Sequence, residues 1–487
     1  MSVYDVIVIG AGVVGPAVAT SLARQGRQVL IVERDWARPD RIVGELLQPG
    51  GVKALQELGM IDAVSGIDAT DVTGYYIKFG DDALEIDYPY KADTQAPRPV
   101  KDVATEKNTR LHSDATIDAD AWERDPKVRG VAFHHGDFIG NLRSIAKAEP
   151  NVTAVEGTVT KILYNDEGDV ATGVSCKTGE GVVEYYASVV ISCDGIYSKF
   201  RKELTNMGTP QVESYFVGLH MKHAKLPSKN RGHVVLGDHA PILMYQIAPD
   251  ESRILCAYRS SKPPSSKNDE LYRFMMDEII PAVPKMTRPA LRAAAKSRKF
   301  RVMPNQYLPA VPQRTKGLIV IGDALNMRHP LTGGGMTVGL NDAVLLARLL
   351  HPSVVPDLDN HDQVLVQLNK FHRLRKNLDA VINTLSIALY ALFAADRNAL
   401  KILQRGCFRY FQRGGSCVSG PIGLLSGMLP FPMLLFNHFF SVAFYSIYRN
   451  FGDRGIFGFP IALMEMIDVL VTAIVIFTPY LWRELVC

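Results

Sequence analysis

The chain has 487 residues, with 54 Lys and Arg against 50 Asp and Glu, a formal net charge of +4 and 47% hydrophobic residues. That length calls for two domains and an extension rather than one simple core. The slight charge, spread along the chain, argues against nucleic acid as a partner; the six cysteines (Cys176, Cys193, Cys256, Cys407, Cys417, Cys487) show no Cys-x-x-Cys pair and no metal-ligand spacing, and read as reduced thiols of a cytosol-facing protein.

From the N-terminus, Met1-Ser2-Val3 leads straight into a strand, Tyr4–Ile9, which leaves no room for a cleaved leader or an N-terminal membrane helix. Gly10-Ala11-Gly12-Val13-Val14-Gly15 and a helix over Pro16–Gln25 follow, then a strand, Gln28–Val32, ending in Glu33. Strand, tight turn, helix, strand and an acid about twenty residues on form the dinucleotide-binding fingerprint. Gly10 permits the turn, Gly12 lets a pyrophosphate approach, Gly15 lets the helix pack on the strand, and Glu33 is placed for the adenosine ribose hydroxyls.

Between Asp87 and Gly130 the sequence is charged and poor in aliphatic residues, so it cannot bury enough surface to fold alone and reads as an exposed insertion remote from the chemistry. His134-His135 reads as a packing or loop pair, because no acid or cysteine pattern beside it supports a metal. Val189–Cys193 is a strand closing on Asp194-Gly195, by itself an ordinary turn signal. From Ser214 to Pro309, β-like runs (Phe216–Met221, Val234–Leu236, Ile242–Ile247, Arg253–Arg259) and a helix near Leu271–Ile280 suit a mixed sheet forming the wall of a substrate pocket.

Gly317 to Gly339 reads GLIVIGDALNMRHPLTGGGMTVG. A buried strand, Leu318–Ile321, turns at Gly322-Asp323, and Gly333 to Gly335 lead into an apolar helix, Met336–Leu350. The Asp323 carboxylate can accept from sugar hydroxyls, and the glycine-rich helix start offers free N–H groups to a phosphate; a purely structural turn is the alternative. This motif lies about three hundred residues beyond the first, so a ligand that uses both is held by both ends of the chain.

Cys417 to Tyr448 contains no Asp, Glu, Lys or Arg, but Pro421, Pro430 and Pro432 are expected to break it into shorter helices. After a polar break at Arg449–Arg454, Gly455–Trp482 is again largely apolar, with Glu465 and Asp468 leaving an uncharged run, Val469–Trp482, short of a comfortable span. Two readings stand: a buried helical subdomain, or helices that dip into one leaflet with Tyr445, Tyr448, Tyr480 and Trp482 at the interface.

The two-motif plan resembles flavoproteins of the aromatic-hydroxylase type, in which the first motif takes the ADP half of FAD, the strand-Gly-Asp motif takes the ribityl chain, and a further strand-Asp-Gly, here at Asp194-Gly195, lies near the phosphates. Four runs bring it closer to one family: Asp40-Arg41-Ile42-Val43-Gly44-Glu45-Leu46-Leu47-Gln48-Pro49-Gly50-Gly51, Ala132-Phe133-His134-His135-Gly136, Asp194-Gly195 with Ser198-Lys199-Phe200-Arg201, and Asn326 through Met336. On these runs the chain resembles the squalene monooxygenases (squalene epoxidases), over nearly its whole length; its polar insertion departs from the animal enzymes and looks like the fungal branch.

The resemblance implies an α/β fold: an FAD-binding Rossmann-like domain of the aromatic-hydroxylase type, a mixed-sheet substrate domain and a C-terminal helical, membrane-associated segment. The expected division is 1–80, 131–205 and 311–355 for the FAD-binding domain, 81–130 for the insertion, 206–310 for the substrate sheet and 356–487 for the C-terminal region. Matched positions put Val13, Val14, Glu33, Arg34, Arg41, Leu46, Arg143, Val159, Asp323 and Met336 on FAD, beside Gly10, Gly12 and Gly15. Tyr75 matches the tyrosine on which the family's activity depends, against the plainer reading of a core tyrosine with a satisfied hydroxyl. The implied reaction is epoxidation of squalene to (S)-2,3-oxidosqualene through a flavin C4a-hydroperoxide, in sterol (ergosterol) biosynthesis at the endoplasmic reticulum membrane. No second nucleotide fingerprint is present for NADPH, so electrons arrive by transient NADPH binding or from a partner, which in the family is NADPH–cytochrome P450 reductase. Three other readings stay open: a flavin monooxygenase of another substrate class, an isoprenoid reductase, or a membrane-attached flavin-binding redox module without turnover.

Overall fold

The structure is a computed structural model that describes residues 4–41, 43–89, 128–260, 262–265 and 269–486. Ile42, Cys487 and most of the expected polar insertion, residues 90–127, lie outside the described residues.

Two seven-stranded sheets carry the architecture. In the first, β1 (Tyr4–Ile9) lies between β2 (Val29–Glu33) and β11 (Gly181–Ser192), all parallel where they pair. β8 (Val152–Glu156) extends the sheet beyond β2, and β17 (Leu318–Val320) joins β11 in parallel. The near-continuous apolar runs VIVI and VLIV are buried on both faces, as a parallel sheet covered by helices requires. β11 also pairs antiparallel with β10 (Ala171–Thr178), which pairs with β9 (Thr158–Tyr164). One consequence positions the site. The ends of β1, β2, β11 and β17 come together at one edge, with Glu33 closing β2 and Gly10, Asp194 and Asp323 following the other three; this is the usual place for a ligand on an open α/β sheet.

The second sheet has the order β16-β12-β15-β14-β13-β5-β6. Its members are β5 (Gly74–Phe79), β6 (Asp82–Asp87), β12 (Gln211–Lys222), β13 (Arg231–Leu236), β14 (Ile242–Ala248), β15 (Glu251–Tyr258) and β16 (Arg301–Tyr307). Only the β13–β5 pairing is parallel, so the sheet is mixed as expected. The expected boundary at residue 80 is corrected. The β5–β6 hairpin, split between the first FAD-binding segment and the insertion, belongs to this second sheet through Tyr75↔Gly232 and its neighbours. A pairing across some 150 residues leaves no local signal at Gly74–Asp87. A small third sheet of β3 (Leu46–Leu47), β7 (Gly130–Ala132) and β4 (Thr70–Val72) joins the two. A buried bidentate ion pair reinforces that joint: Arg253 Nε and Nη2 lie 2.7 and 2.8 Å from the Glu45 carboxylate.

The C-terminal region is helical: His361–Ala394, Asn398–Phe411, Ser416–Leu425, Pro432–Arg454 and Phe459–Val486. Two expectations are corrected here. The stretch from Cys417 to Tyr448 does break into two helices at Pro430 and Pro432, but Pro421 sits inside the helix Ser416–Leu425 at the cost of one bond to the Cys417 carbonyl. Arg449–Arg454 is no break; the chain stays helical to Arg454 and turns at Gly455. His361–Ala394 and Phe459–Glu484 are both long and apolar enough to cross a membrane by length and composition, but the first is mostly buried and serves as a core helix.

The last helix has two apolar faces. Ala462, Val469, Ala473 and Phe477 face the protein core, and Glu484 ends that face fully buried. Met464, Ile467, Val471, Ile474 and Val475, at spacings of three and four, are exposed, as are Phe444, Tyr448, Ile456 and Phe457 nearby. One face of the region thus packs in the protein core, and the other is apolar and exposed. Glu484 accepts from Tyr307 Oη at 2.8 Å and Asn383 Nδ2 at 2.9 Å, and Lys376 Nζ stands 3.9 Å away. The last turn is thus clamped to β16 and to the long helix His361–Ala394.

Candidate active site

The N-terminal loop is built as its residues require. Gly10 adopts φ +95°, and a Cβ on Gly15 would fall 1.9 Å from the Gly10 carbonyl, so only glycine lets the helix Val14–Arg24 approach so closely. A Cβ on Gly12, by contrast, meets nothing within 4 Å and points into open space. The Ala11 N–H donates to Glu33 Oε2 at 2.6 Å, which sets the acid beside the loop. Arg143 donates to the carbonyls of Ala11 and Ala37, both at 2.8 Å, and lies 3.7 Å from Glu33. Beside Arg143 opens a cavity of about 690 Å3 that also touches Trp36, Arg38, His134 and Glu251.

Val14 joins the two ends of the chain, because its methyls pack on the backbone at Gly322 and Gly339. Asp323 follows, half-buried, and its carboxylate makes no hydrogen bond to the described residues. Burial pushes it above the usual carboxylate range, against the pull of the Arg328, Arg41 and Arg201 guanidiniums. Arg201 ties the other motif in by donating to the carbonyls of Gly195 and Ile196 at 2.9 and 2.7 Å and approaching the Asp323 carbonyl at 3.5 Å. Asp194 itself caps its own loop, accepting from Ser192 Oγ and the Lys199 N–H. Met336, in the first turn of the helix Gly335–Leu349, stands near Gly44. Leu46 is on the adjoining β3, and Val159 is buried on β9 next to Gly157, whose N–H binds the Glu33 carbonyl. Arg34 is exposed and Arg41 acts on Asp323 through its charge.

These residues fit FAD. The helices Val14–Arg24 and Gly335–Leu349 both begin without a side-chain cap, which leaves N–H groups free for phosphate oxygens. The space before Gly12 could admit a pyrophosphate, and the unengaged Asp323 carboxylate could accept from a polyol. Asp323→Ala is expected to weaken FAD by about 1.5–3 kcal/mol, the range for a hydrogen bond to a charged group. Titration of the flavin-free protein checks this, and unchanged affinity would make Asp323 a turn residue.

Tyr75, on β5, is buried in a separate apolar cluster with Ile77, Phe216, Leu331, Phe393 and Phe408. Gln48 Nε2 donates to Tyr75 Oη at 2.8 Å and to the Thr332 carbonyl at 2.7 Å, while Tyr88 Oη donates to Gln48 Oε1 at 2.7 Å. Burial raises the Tyr75 pKa, so the hydroxyl stays protonated. Gln48, Tyr88, Arg201 and Arg328 were given no role from sequence; Gln48, Arg201 and Arg328 lie inside motif runs, and only Tyr88 lacked a mark.

A family model for FAD dependent oxidoreductases matches residues 5–39. The p-nitrophenol 4-monooxygenase PnpA of Pseudomonas putida shares the fold, with TM-score 0.66 at 16% identity over 88% of this chain and 99% of that one. Fold and site together define an FAD-dependent oxidoreductase with the architecture of flavin monooxygenases. The squalene epoxidase family model matches residues 186–464. The chain is 63% identical to squalene epoxidase ERG1 of Candida albicans, over 99% of both chains, and 52% identical to its counterpart in Saccharomyces cerevisiae, over 99% of this chain and 96% of that one. It belongs to the squalene epoxidase family.

Proposed function

We propose that this enzyme converts squalene to (S)-2,3-oxidosqualene, a step of sterol (ergosterol) biosynthesis. Dioxygen supplies the oxygen, and NADPH supplies electrons through NADPH–cytochrome P450 reductase. The site of action is the cytosolic side of the endoplasmic reticulum membrane. Bound and reduced, FAD activates O2, so that one oxygen atom enters the alkene and the other leaves as water. The protein supplies position and dryness. Squalene offers no polar handle, and burial of each CH2 is worth roughly 0.8 kcal/mol, so an apolar wall suffices to hold it. The same wall keeps out the water that would divert the oxidant. In this reading Gly10, Gly12, Val13, Val14 and Gly15 cradle the pyrophosphate; Glu33, Arg34, Arg143 and Val159 hold the adenosine end; Arg41, Leu46, Asp323 and Met336 hold the ribityl and flavin end.

One observation carries the reading: Leu331 belongs both to the turn of the cofactor motif and to the apolar cluster around Tyr75, so alkene and flavin can meet there. The exposed face of the last helix fits a substrate that arrives from lipid, seated in one leaflet rather than spanning it. Tyr75 holds Gln48, and Gln48 holds the Thr332 carbonyl. Tyr75→Phe is expected to keep FAD and to lower epoxide formation at least about tenfold, roughly 1.4 kcal/mol on the barrier; full activity would leave Tyr75 a packing residue. The function itself is tested by supplying reductase, NADPH and squalene to the detergent-purified protein. Oxidosqualene by mass spectrometry supports it, and NADPH-dependent flavin turnover without that product sinks it.

A further inference from the structure

His329 stands one residue ahead of the turn Pro330–Thr332 and is 1% exposed. Its Nδ1 accepts the Leu331 N–H at 3.2 Å. The ring proton therefore sits on Nε2, which faces Ser214 Oγ at 3.2 Å; Asn305 Nδ2 holds the same oxygen at 2.9 Å. Burial lowers the imidazole pKa to about 3, so this neutral tautomer persists at any working pH. The ring stacks on Tyr390 at 4.1 Å and 23° and meets Phe216 edge-on at 5.5 Å.

The cofactor turn, β12 and the long helix His361–Ala394 thus meet at one side chain, and β16 is tied in through Ser214. Packing alone does not call for histidine here. A phenylalanine would stack as well without the cost of desolvating two nitrogens, a cost offset only by the hydrogen bonds they make. The bond that matters is the one to Leu331. Gln48 holds the Thr332 carbonyl, so the turn is held at two adjacent residues by side-chain hydrogen bonds. The turn in turn sets the glycines and Met336 at the start of the next helix.

Resting on the function proposed above, we infer that His329 is a positioning residue of the epoxidation site: its neutral imidazole locks the Leu331 amide against Phe216 and Tyr390, so that the apolar chain lying on those rings and the turn facing the flavin are held in one register. Loss of that lock leaves FAD bound but lets reduced flavin spend O2 as hydrogen peroxide rather than on the alkene.

Three variants separate the lock from mere packing. His329→Phe keeps the stack and loses both hydrogen bonds. His329→Asn keeps an oxygen where Nδ1 accepts, as asparagine does at helix starts. His329→Ala loses everything. Peptide-level hydrogen exchange at Leu331, in flavin-free and FAD-loaded protein, is expected to accelerate at least about tenfold in Phe and Ala and to return toward wild type in Asn. FAD affinity should stay within about threefold in Phe and Asn, while kcat for epoxide falls at least about tenfold in Phe, with KM for squalene changed little and peroxide per NADPH raised. Asn should recover much of that kcat. A Phe variant with wild-type exchange, kcat and coupling would overturn the inference, as would an Asn variant no better than Ala. If wild type makes no oxidosqualene the proposed function fails, yet the exchange measurement still decides whether His329 holds the turn.

Discussion

Gly12→Val is expected to give a folded, colourless protein. The loop around Gly12 explains the separation of folding from binding. A Cβ there meets no atom within 4 Å, and Gly12 is absent from the residues of positive φ, so a branched side chain strains nothing within the described protein. It fills instead the space in front of the uncapped helix Val14–Arg24, where a pyrophosphate would lie against free N–H groups. FAD affinity should fall at least about a hundredfold, roughly 2.8 kcal/mol at 1.4 kcal/mol per factor of ten. Gly15→Val is the contrasting control: its Cβ would overlap the Gly10 carbonyl, so that variant should lose fold and flavin together. Flavin absorbance and thermal unfolding on the same samples check both. Normal flavin content in folded Gly12→Val would move the pyrophosphate elsewhere.

The second large effect concerns the exposed face of the last helices. Phe457, Ile467 and Val471 project from the protein, and burying each such side chain is worth about 1.5–3 kcal/mol. Replacing all three with serine should therefore remove several kcal/mol of lipid partitioning and shift the protein from the membrane pellet to the supernatant, with FAD retained. Turnover of squalene offered in vesicles should fall far more than turnover in detergent. Deleting the region after Arg413 would be a poor substitute. It would remove the Ser426 carbonyl that accepts the Gly50 N–H and the Glu484 carboxylate that Tyr307 and Asn383 bond, leaving buried polar groups unpaired. A triple variant that stays in the pellet with its flavin would mean another surface holds the membrane. One that aggregates without flavin would mean this face packs on protein.

What the sequence disclosed follows from where the information lies. The motifs at Gly10–Gly15 and Gly322–Met336 rest on local backbone needs, so strand, turn and helix were placed within a residue or two of β1, β17 and the helices that follow them. The β5–β6 hairpin was not assigned to its sheet, because its partner β13 lies far along the chain. The same holds for buried polar contacts. Arg375 bonds both oxygens of Asp342, at 2.9 and 2.7 Å, and so braces the helix that starts at the cofactor motif, yet each residue alone reads as a solvated charge on a helix. Glu484, three residues from the end of the sequence, is among the most buried groups in the protein. The C-terminal helices were legible as apolar but not as two-faced, since the division between core and exposed faces is set by the helices packed against them. Tyr75 is singled out by its match to a family motif and Gln48 lies inside a motif run, whereas their partner Tyr88 emerges only from the three-dimensional contact.

The most direct test of the central claim is a single turnover that needs no electron partner. FAD-loaded protein, reduced chemically and anaerobically in the presence of squalene-containing vesicles, is mixed with 18O2 and quenched. The account predicts oxidosqualene carrying one 18O atom, in an amount approaching that of the reduced flavin. Flavin oxidation that yields only hydrogen peroxide, with or without squalene, would contradict it.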